Sequence, residues 1–476
     1  MKKTMWVALS LALCASARAD IRALTPQPAD ATRPWWMPRH EQCLAAVTNT
    51  PRDIVFLGDS ITHNWRSPKE VLNLGFGGDR TEHVLWRITE GRELDGYQAK
   101  FVSVLIGSNN TGHFPVTEEP PVDTILGVRK VVQTVLAKQT NAIVVLNALF
   151  PRGTNAMDAC RLRNDIVNRE IRKFTDRKRV FWCDIADRFL EPDGTLPKRL
   201  FPDGLHPSAE GYAIWQEELK PYVEYALSDR TGPAPKERTS KSFAPAQPKR
   251  VAEATPVSRI FPWWIGKGKC WVTERLLEKR NEIAALKDRR VDVVLLGDSI
   301  THSWESTGKT SLAELRKRFS VLDIGDSGDV TQSLLWRIEN GELDGYRARW
   351  IELLIGTNNA NANGKPENIV AGVRRILDVI AEKQPQARVL LLAAFPRGES
   401  ADDPKRKCLD AVNAAIRAFA DGKKVVWLDF GAKFLDEKGD TRWCMPDRLH
   451  PNAEAYRDIW LPEILPYFEG TKGRDK

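Results

Sequence analysis

The hexapeptide Gly-Asp-Ser-Ile-Thr-His occurs twice in this chain of 476 residues, with its serines at Ser60 and Ser299. A serine that follows a short apolar run suits a strand-to-helix turn, where backbone N–H groups favour developing negative charge. Such a serine can attack an ester carbonyl if a base removes its proton. For one isolated copy, the simpler interpretation is that the aspartate only caps a helix. The case for chemistry therefore depends on the residues that accompany each serine.

Histidine is the base that such a serine needs, and only two histidine positions recur in both copies. His206 and His450 each follow an aspartate, Asp203 and Asp447, in the pattern Asp-x-x-His. On a loop, the carboxylate can hold imidazole Nδ1–H and leave Nε2 to accept the serine proton. The other recurring pair is His63 and His302. It follows the serines closely, has no acidic partner at matching spacing, and is interpreted as helix or pocket-edge residues.

Acyl transfer also needs hydrogen-bond donors for the oxyanion that forms on the ester carbonyl. Gly78 and its counterpart Gly328 follow the second apolar run of each copy, and a glycine lets the backbone approach a ligand closely. Asn109 and Asn358 follow the third run and offer a side-chain NH₂ group, although asparagine also forms turns well. The N–H of each reactive serine is a third candidate donor.

The elements that must position these residues also come in two sets. Blocks around GDSITH, LWRI, IGSNN or IGTNN, FPRG and the Asp-x-x-His loop recur in one order. Each copy is too long for a solenoid unit, so the repeat predicts a tandem of whole domains. The predicted divisions are a signal peptide at 1–19, a first domain at 20–227, a flexible linker at 228–259 and a second domain at 260–476. The linker is rich in Pro, Ser, Ala, Lys and Arg and too poor in apolar residues to fold.

Short apolar runs alternate with stretches of helical apolar spacing in each copy, which predicts a parallel sheet in an α/β sandwich. In the first copy the predicted strands are Ile54–Leu57, Val71–Leu74, Phe101–Ile106, Ile143–Leu149 and Val180–Cys183. In the second copy they are Val293–Leu296, Val321–Ile324, Ile351–Ile355, Val389–Ala394 and Val425–Leu428. In such a sheet, ligands bind at the carboxyl ends of the strands.

The start of the chain predicts export. A short basic start, an apolar run and Ala17-Arg18-Ala19 fit a secretory signal peptide, and the run is too short to span a membrane. We therefore expect a periplasmic or secreted bacterial protein without a membrane span. The net charge is +8, but basic residues are interspersed with acids and no nucleic-acid motif occurs, so a nucleic-acid partner is not expected. No cysteine spacing typical of a zinc site is present.

Together, these blocks resemble the SGNH (GDSL) hydrolase family. The stretch GGDRTEHVLWRI, with IGSNN and FPRG, is most similar to the catalytic subunits of intracellular platelet-activating-factor acetylhydrolases and their bacterial relatives. The resemblance implies a flavodoxin-like α/β/α fold in each copy, esterase activity, and neither metal nor cofactor. It assigns the nucleophile, oxyanion donors, orienting acid and base of the first copy to Ser60, Gly78, Asn109, Asp203 and His206. In the second copy it assigns them to Ser299, Gly328, Asn358, Asp447 and His450.

The two copies differ in one spacing. From Ser60 to Gly78 there are 18 positions, whereas from Ser299 to Gly328 there are 29. The first copy has therefore lost most of a helix or loop that follows the nucleophile, and we expect a more open pocket wall there.

The sequence thus predicts an exported serine esterase for short acyl esters, acetyl first, with O-acetyl groups on carbohydrate as the favoured substrate. Two enzymatic alternatives stay open: a lysophospholipase or acetylhydrolase-like lipid esterase, and a thioesterase. A different class of function is a glycan-binding protein in which one copy, or both, retains an inactive site.

Overall fold

The structure is a computed structural model, and it describes residues 21–29, 32–49, 52–112, 119–153, 156, 158–240, 252–259 and 271–470. The predicted signal peptide lies outside these residues. The strands of the first unit are β1 (Ile54–Gly58), β2 (Val71–Gly75), β3 (Phe101–Leu105), β4 (Ile143–Asn147) and β5 (Val180–Cys183). Those of the second unit are β6 (Arg290–Gly297), β7 (Val321–Asp323), β8 (Arg347–Leu354), β9 (Arg388–Leu392) and β10 (Val425–Leu428).

Helices follow the strands in both units. The first unit contains α1 (Trp36–Asn49), α2 (Ser60–Asn64), α3 (Thr81–Ile88), α4 (Ser108–Gly112), α5 (Pro121–Lys138), α6 (Ala159–Ile171), α7 (Ala186–Phe189) and α8 (Ala209–Leu227). The second contains α9 (Trp271–Ala284), α10 (Ser299–His302), α11 (Lys309–Arg316), α12 (Thr331–Arg337), α13 (Thr357–Asn361), α14 (Pro366–Lys383), α15 (Pro404–Ile416), α16 (Ala453–Ala455) and α17 (Leu461–Glu469). A π-helical turn, Tyr456–Trp460, joins α16 to α17. Within the described part of the chain, no helix is both long and apolar enough to cross a membrane.

Each unit has a five-stranded sheet in which every pairing is parallel. The strand order is β2-β1-β3-β4-β5 in the first unit and β7-β6-β8-β9-β10 in the second. This is the flavodoxin-like order. The strand order reverses at the first strand of each unit, and this switch point opens a crevice at the carboxyl end of that strand. Ser60 and Ser299 lie at that point in their units. The predicted α/β/α fold, present twice, is confirmed.

Buried side chains cover both faces of the second sheet. Val294 and Leu296 of β6 point into one apolar cluster, which includes residues of α14 and α15. Val293 and Leu295 point into another cluster, which includes residues of α11 and α17. A strand whose two faces are buried needs continuous apolar sequence, which is why the strands could be located from composition. The predictions missed the start of β6 at Arg290 because its first residues alternate between exposed and buried.

The additional residues of the second unit form α11. In the first unit, α2 leads almost directly into β2, whereas in the second a 3₁₀ turn (Ser303–Glu305) and α11 intervene. The helix does not form a wall of the pocket beside the serine, as the spacing had led us to expect. It packs instead against α17 and against one face of the sheet, where Leu312 and Leu315 are buried. The first unit has no such helix between α2 and β2, and a cleft lined by Ile54 and Phe56 of β1 lies on this side of its sheet.

The chain that follows α8 turns back onto the first unit. The backbone N–H of Arg238 donates to the carbonyl of Trp182 in β5. Its guanidinium pairs with Asp187 and Glu218. Residues up to 240 are thus held against the first sheet, although they belong to the predicted linker. The central part of that linker, 241–251, lies outside the described residues.

In each unit, a segment that precedes the first helix packs against the helix that follows the second strand, which is α3 in the first unit and α12 in the second. The hydroxyl of Thr81 donates to the carbonyl of Ala23, and that of Thr331 donates to Glu253, each over 2.8 Å. Arg259 forms an ion pair of 2.8 Å with Asp329. Because these contacts are internal to each fold, the second unit begins by residue 252, before the predicted boundary at 260.

The two units pack against each other through α5, α9 and the turn after α12. Asp123 of the first unit receives two hydrogen bonds of 2.9 Å from the guanidinium of Arg280, and both side chains are buried. The N–H of Ile21 donates to Asn281 over 3.1 Å. Leu276 of α9 belongs to the apolar core of the first unit. The units are thus joined by this interface as well as by the linker.

Candidate active sites

The turn after β1 explains the Gly-Asp-Ser sequence. A Cβ on Gly58 would collide with the hydroxyl of Thr62 and the carbonyl of Leu105, so only glycine fits between the strand end and the helix. Asp59 accepts a hydrogen bond of 2.9 Å from the N–H of Ile61 and so caps α2. Ser60 is the first residue of that helix. The turn is therefore both a capped helix start and a site that presents a serine.

The second turn repeats these contacts. A Cβ on Gly297 would collide with Thr301 and with the carbonyl of Leu354. Asp298 accepts from the N–H of Ile300 over 3.0 Å. Burial raises the pKa of Asp298 to about 7, as it does that of Asp59 in the first unit. Both capping carboxyls thus lose solvation on burial, and the hydrogen bond to the helix start offsets part of that loss.

In the first unit, the structure brings Ser60, His206 and Asp203 together. The hydroxyl of Ser60 lies 2.8 Å from Nε2 of His206, and Nδ1 of that ring lies 2.6 Å from Oδ2 of Asp203. The other carboxylate oxygen of Asp203 accepts from the N–H groups of Leu205 and His206. Three residues that are distant in sequence thus form one hydrogen-bonded chain, in the order that a serine hydrolase requires.

The second unit builds the same chain from its own residues. Ser299 Oγ lies 2.9 Å from Nε2 of His450, and Nδ1 of His450 lies 2.6 Å from Oδ2 of Asp447. Asp447 also accepts from the N–H groups of Leu449 and His450. No residue of one triad comes from the other unit, so the chain carries two separate constellations.

The aspartates determine which imidazole nitrogen carries the proton. Burial alone would raise the pKa of Asp203, but hydrogen bonds from His206 and Leu205 lower it to about 2. The pKa of Asp447 is likewise lowered by its bonds to His450, against the effect of burial. An ionised carboxylate accepts only, so Nδ1 must be the protonated nitrogen. Nε2 is then free to take the proton of the serine.

The predicted oxyanion donors are adjacent in space in each unit. Gly78 has φ +72° and Gly328 has φ +79°, a left-handed conformation that favours glycine. One amide hydrogen of Asn109 is donated to the carbonyl of Asp79, the residue after Gly78, over 2.8 Å. Asn358 makes the equivalent bond of 2.9 Å in the second unit. Among the described residues, neither amide group makes a second hydrogen bond, so each asparagine has one hydrogen left for an oxyanion.

A buried ion-pair cluster, which the sequence did not single out, holds the oxyanion loop of the first unit. Asp79 accepts from Nε of Arg87 over 2.9 Å and from the indole of Trp36 over 2.6 Å. Arg87 also pairs with Glu93, and all four side chains are buried. Arg337 pairs with Asp329 and Glu342 in the second unit. The shared GD and LWRI sequences were the signal that could have predicted this cluster.

Two tyrosines hold the C-terminal helices against the nucleophile helices, and they too were missed. The hydroxyl of Tyr212 donates to the carbonyl of Ile61 over 2.8 Å, and that of Tyr456 donates to Ile300. Each tyrosine comes six residues after the histidine of its triad. The contact fixes the start of that helix, and with it the histidine loop, relative to the serine.

His63 and His302 do not contact the serines. Nδ1 of His63 accepts from the N–H of Gly77 over 3.1 Å, and Nδ1 of His302 lies 2.9 Å from the hydroxyl of Ser327. Burial lowers the pKa of both rings, that of His302 to about 4. They are neutral supports of the oxyanion loop, in agreement with their interpretation as pocket-edge residues.

The parallel sheets with a serine triad at the switch point define the class as α/β serine hydrolases. The model of the GDSL-like lipase/acylhydrolase family matches residues 56–214 and again residues 295–457. The chain therefore belongs to the GDSL-like lipase/acylhydrolase family, in two copies, and is a carboxylic ester hydrolase.

Individual relatives share one unit with this chain. Platelet-activating factor acetylhydrolase IB subunit alpha1 of Pongo abelii is 37% identical over 188 residues, 37% of this chain and 78% of the relative. Subunit alpha2 of Rattus norvegicus is 32% identical over 188 residues, 37% and 79% of the respective chains. Among solved structures, a GDSL-like lipase of Bacteroides thetaiotaomicron is 21% identical with a TM-score of 0.35, covering 41% of this chain and 97% of its own. An acetylxylan esterase of Geobacillus stearothermophilus is 17% identical with a TM-score of 0.32, covering 37% and 94%.

Proposed function

We propose that this protein is an exported esterase that removes short acyl groups, acetyl first, from carbohydrate through an acyl-enzyme at two independent sites. The observation that carries the proposal is the double triad. Each unit supplies its own serine, histidine and aspartate, with Ser–His separations of 2.8 and 2.9 Å. Each also has its own glycine and asparagine donors, so neither site needs the other.

The first half of the reaction forms the acyl-enzyme. Ser60 Oγ attacks the ester carbonyl while Nε2 of His206 takes its proton, and Asp203 stabilises the imidazolium. Negative charge on the carbonyl oxygen is received by the N–H groups of Ser60 and Gly78 and by the amide of Asn109. The intermediate then collapses, the alcohol leaves with the proton from Nε2, and the acyl group remains on Ser60.

The second half returns the enzyme to its starting state. Water loses a proton to Nε2 of His206 as its oxygen attacks the acyl carbon, and the same donors receive the charge. Collapse then releases the carboxylic acid, with the proton returned to Ser60 Oγ. The equivalent steps at the second site use Ser299, His450 and the donors beside them.

An exposed indole supports carbohydrate as the substrate of the first site. Trp35 is 41% exposed. Its ring centroid lies 6.0 Å from that of His63, and its indole packs beside Gly77 in the oxyanion loop. An exposed tryptophan offers a large rigid apolar surface with a polar edge, which suits a sugar ring. The signal-peptide pattern at the start of the chain agrees with a substrate outside the cytoplasm.

A lipid ester is the second candidate, and the names of the relatives favour it. The proteins at 32% and 37% identity are acetylhydrolases of platelet-activating factor. Both candidates share the acetyl group, so they differ only in the alcohol that leaves. The discriminating measurement is kcat/KM for acetylated xylo-oligosaccharides against an acetylated ether phospholipid.

The experiment that tests the esterase itself uses p-nitrophenyl acetate with the wild type, Ser60→Ala, Ser299→Ala and the double variant. We expect each single variant to retain the turnover of the other site and the double variant to lose it. An inactive wild type would refute the proposal in favour of a glycan-binding protein. A single variant as inactive as the double would show that one unit is not a working esterase. A series from acetyl to octanoyl esters then measures the acyl preference.

A further inference from the structure

The missing helix of the first unit leaves a cleft on the outer face of its sheet. The cleft has a volume of about 580 Å³ and lies between the β1–β2 edge and α8. Its apolar floor is formed by Ile54, Phe56, Trp65, Leu219 and Val223. Neither the serine nor the histidine of the triad is among its lining residues, so the cleft is distinct from the active site.

Charged side chains surround this floor, and acids predominate. Glu70, Glu217 and Glu224 line the cleft together with one lysine, Lys220. Glu224 and Lys220 are 3.8 Å apart and largely exposed, a pair that contributes little in water. An apolar floor within an acidic rim selects an occupant that is apolar on one side and basic at its edge.

The second unit shows what covers this surface when the fold supplies its own cover. The strand residues Val293 and Leu295, which match Ile54 and Phe56 of the first unit, belong to the same buried cluster as Leu312 of α11. The apolar residues of the covering segment are spaced i, i+3 and i+7. They are Leu312, Leu315 and Phe319, all buried. Leu312 and Leu315 lie one turn apart on α11, as on a helix that docks into a groove, and Phe319 follows three residues after the helix ends.

The contacts that Arg318 and Phe319 make just after α11 fall on positions that the first unit has kept. Pro221-Tyr222-Val223-Glu224 in α8 matches Pro466-Tyr467-Phe468-Glu469 in α17. In the second unit, the ring of Phe319 packs at 6.1 Å from that of Phe468, and Arg318 donates to Glu469 over 2.7 Å. The first unit presents Val223 and Glu224 at these two positions, and it has no helix between α2 and β2 to meet them.

We propose that the cleft of the first unit binds an amphipathic helix of a partner protein, whose apolar side carries residues one turn apart, at i and i+3, with basic residues beside them. The partner helix takes the position that α11 has in the second unit. Its apolar side covers Phe56, Trp65 and Val223, and its basic residues meet Glu217 and Glu224. The two units would thus divide their tasks: both hydrolyse esters, and the first also docks a partner.

The test uses this chain's own helix as a probe. A fluorescein-labelled peptide of residues 308–320 carries the apolar triplet and four basic residues, Lys309, Arg316, Lys317 and Arg318. It is mixed with the intact protein, and its fluorescence anisotropy is measured. Because isolated helices of this length are marginally stable, a form constrained by a lactam on the opposite face is tested in parallel. We expect saturable binding that is tighter for the constrained form and weaker in high salt.

Two variants locate the binding. Val223→Glu places a charge on the floor and should weaken binding by at least about tenfold, while p-nitrophenyl acetate turnover stays unchanged. The matched control is Glu454→Gln, which changes an exposed acid in the second unit and should leave binding unaltered. A peptide with Leu312→Ser and Leu315→Ser has the same charge and should not bind.

Three results would overturn the proposal. The first is the absence of binding by either form of the peptide. The second is binding that persists in Val223→Glu, which would place the peptide elsewhere. The third is a cleft that takes up a medium-chain alcohol but neither peptide, which would make it an alkyl-chain site.

Discussion

The two units have the same geometry around the serine but differ in the segment that follows it a few residues later. The Ser–His separations are 2.8 and 2.9 Å, and the His–Asp separations are both 2.6 Å. Yet the sheet face beside the last helix is covered by α11 in the second unit and forms an open cleft in the first. The triad depends on strand ends and on two loops, whereas α11 packs on a face that those loops do not use. Insertions there change the surface without disturbing the chemistry.

The two units also differ in the residue at one polar position on the middle strand of the sheet. In the first unit, Ser103 accepts from the amide of Asn147 over 2.9 Å, and Asn147 accepts from Trp215 over 3.0 Å. The second unit places Glu352 at the position of Ser103, fully buried. Burial, and to a lesser degree the nearby Asp323, raises the pKa of Glu352 to about 8. At this position the first unit has a hydrogen-bonded set of neutral side chains, whereas the second holds a proton on a buried acid.

The largest expected effect separates the two sites. In a Ser299→Ala background, Asp203→Asn should lower kcat for p-nitrophenyl acetate by roughly 10³–10⁴, because the imidazole loses the partner that fixes its tautomer. Asp447→Asn in a Ser60→Ala background should do the same. Asp193→Asn, in an exposed turn, is the control. If only one site responded, the equality of the two triads would be refuted.

The next effect concerns the interface. Asp123→Ala removes the carboxylate that pairs with the buried Arg280. It should weaken the free energy of association of the two units by about 3–5 kcal/mol. After proteolytic cleavage of the linker, the two halves of the wild type should co-elute on size exclusion, and those of the variant should separate. Glu274→Ala removes an exposed partner of Arg129 in the same interface and should cost no more than about 1 kcal/mol. Wild-type halves that separate on cleavage would contradict this docking.

A third effect is the pH dependence of the stability of the second unit. Since Glu352 keeps its proton in the folded state up to about pH 8 and loses it near 4.5 when unfolded, the second unit should lose stability as pH rises through that window. Glu352→Gln should reduce this loss by an amount on the order of a few kcal/mol. Calorimetry at pH 5.5 and 8.5 measures it, with the transition of the first unit as the internal control. Equal slopes in wild type and variant would show that Glu352 ionises freely.

The smallest expected effect tests whether Trp35 contacts the sugar of the substrate. In a Ser299→Ala background, Trp35→Ala should raise KM for acetylated oligosaccharides about 3–10-fold, the range expected from losing one aromatic contact of about 0.5–1.5 kcal/mol. Turnover of p-nitrophenyl acetate should not change. Met37→Ala, equally exposed and two residues away, is the matched control. An unchanged KM would remove the main structural support for carbohydrate.

Strands and triad members could be predicted because each has a local signature. Buried parallel strands need continuous apolar runs, and Gly-Asp-Ser and Asp-x-x-His impose their own turns. The tyrosine contacts and the packing of Arg238 could not, since each joins positions far apart in sequence whose pairing no local pattern specifies. The cluster of Asp79 and Arg87 joins positions that are close in sequence, and the shared GD and LWRI sequences carried a signal for it that the prediction did not use. The missing helix was correctly located along the chain, but spacing does not tell which face of a sheet a helix covers.

The π-helical turn Tyr456–Trp460 records how the copies diverged. Tyr212 and Trp215 of α8 are three residues apart, whereas Tyr456 and Trp460 are four apart. An inserted residue would rotate everything after it by about 100° in a regular helix. The wider turn confines that residue, so Tyr456 still reaches the nucleophile helix and Trp460 still lies in the core. A duplicated domain can therefore lengthen by single residues within its helices without losing the alignment on which catalysis depends.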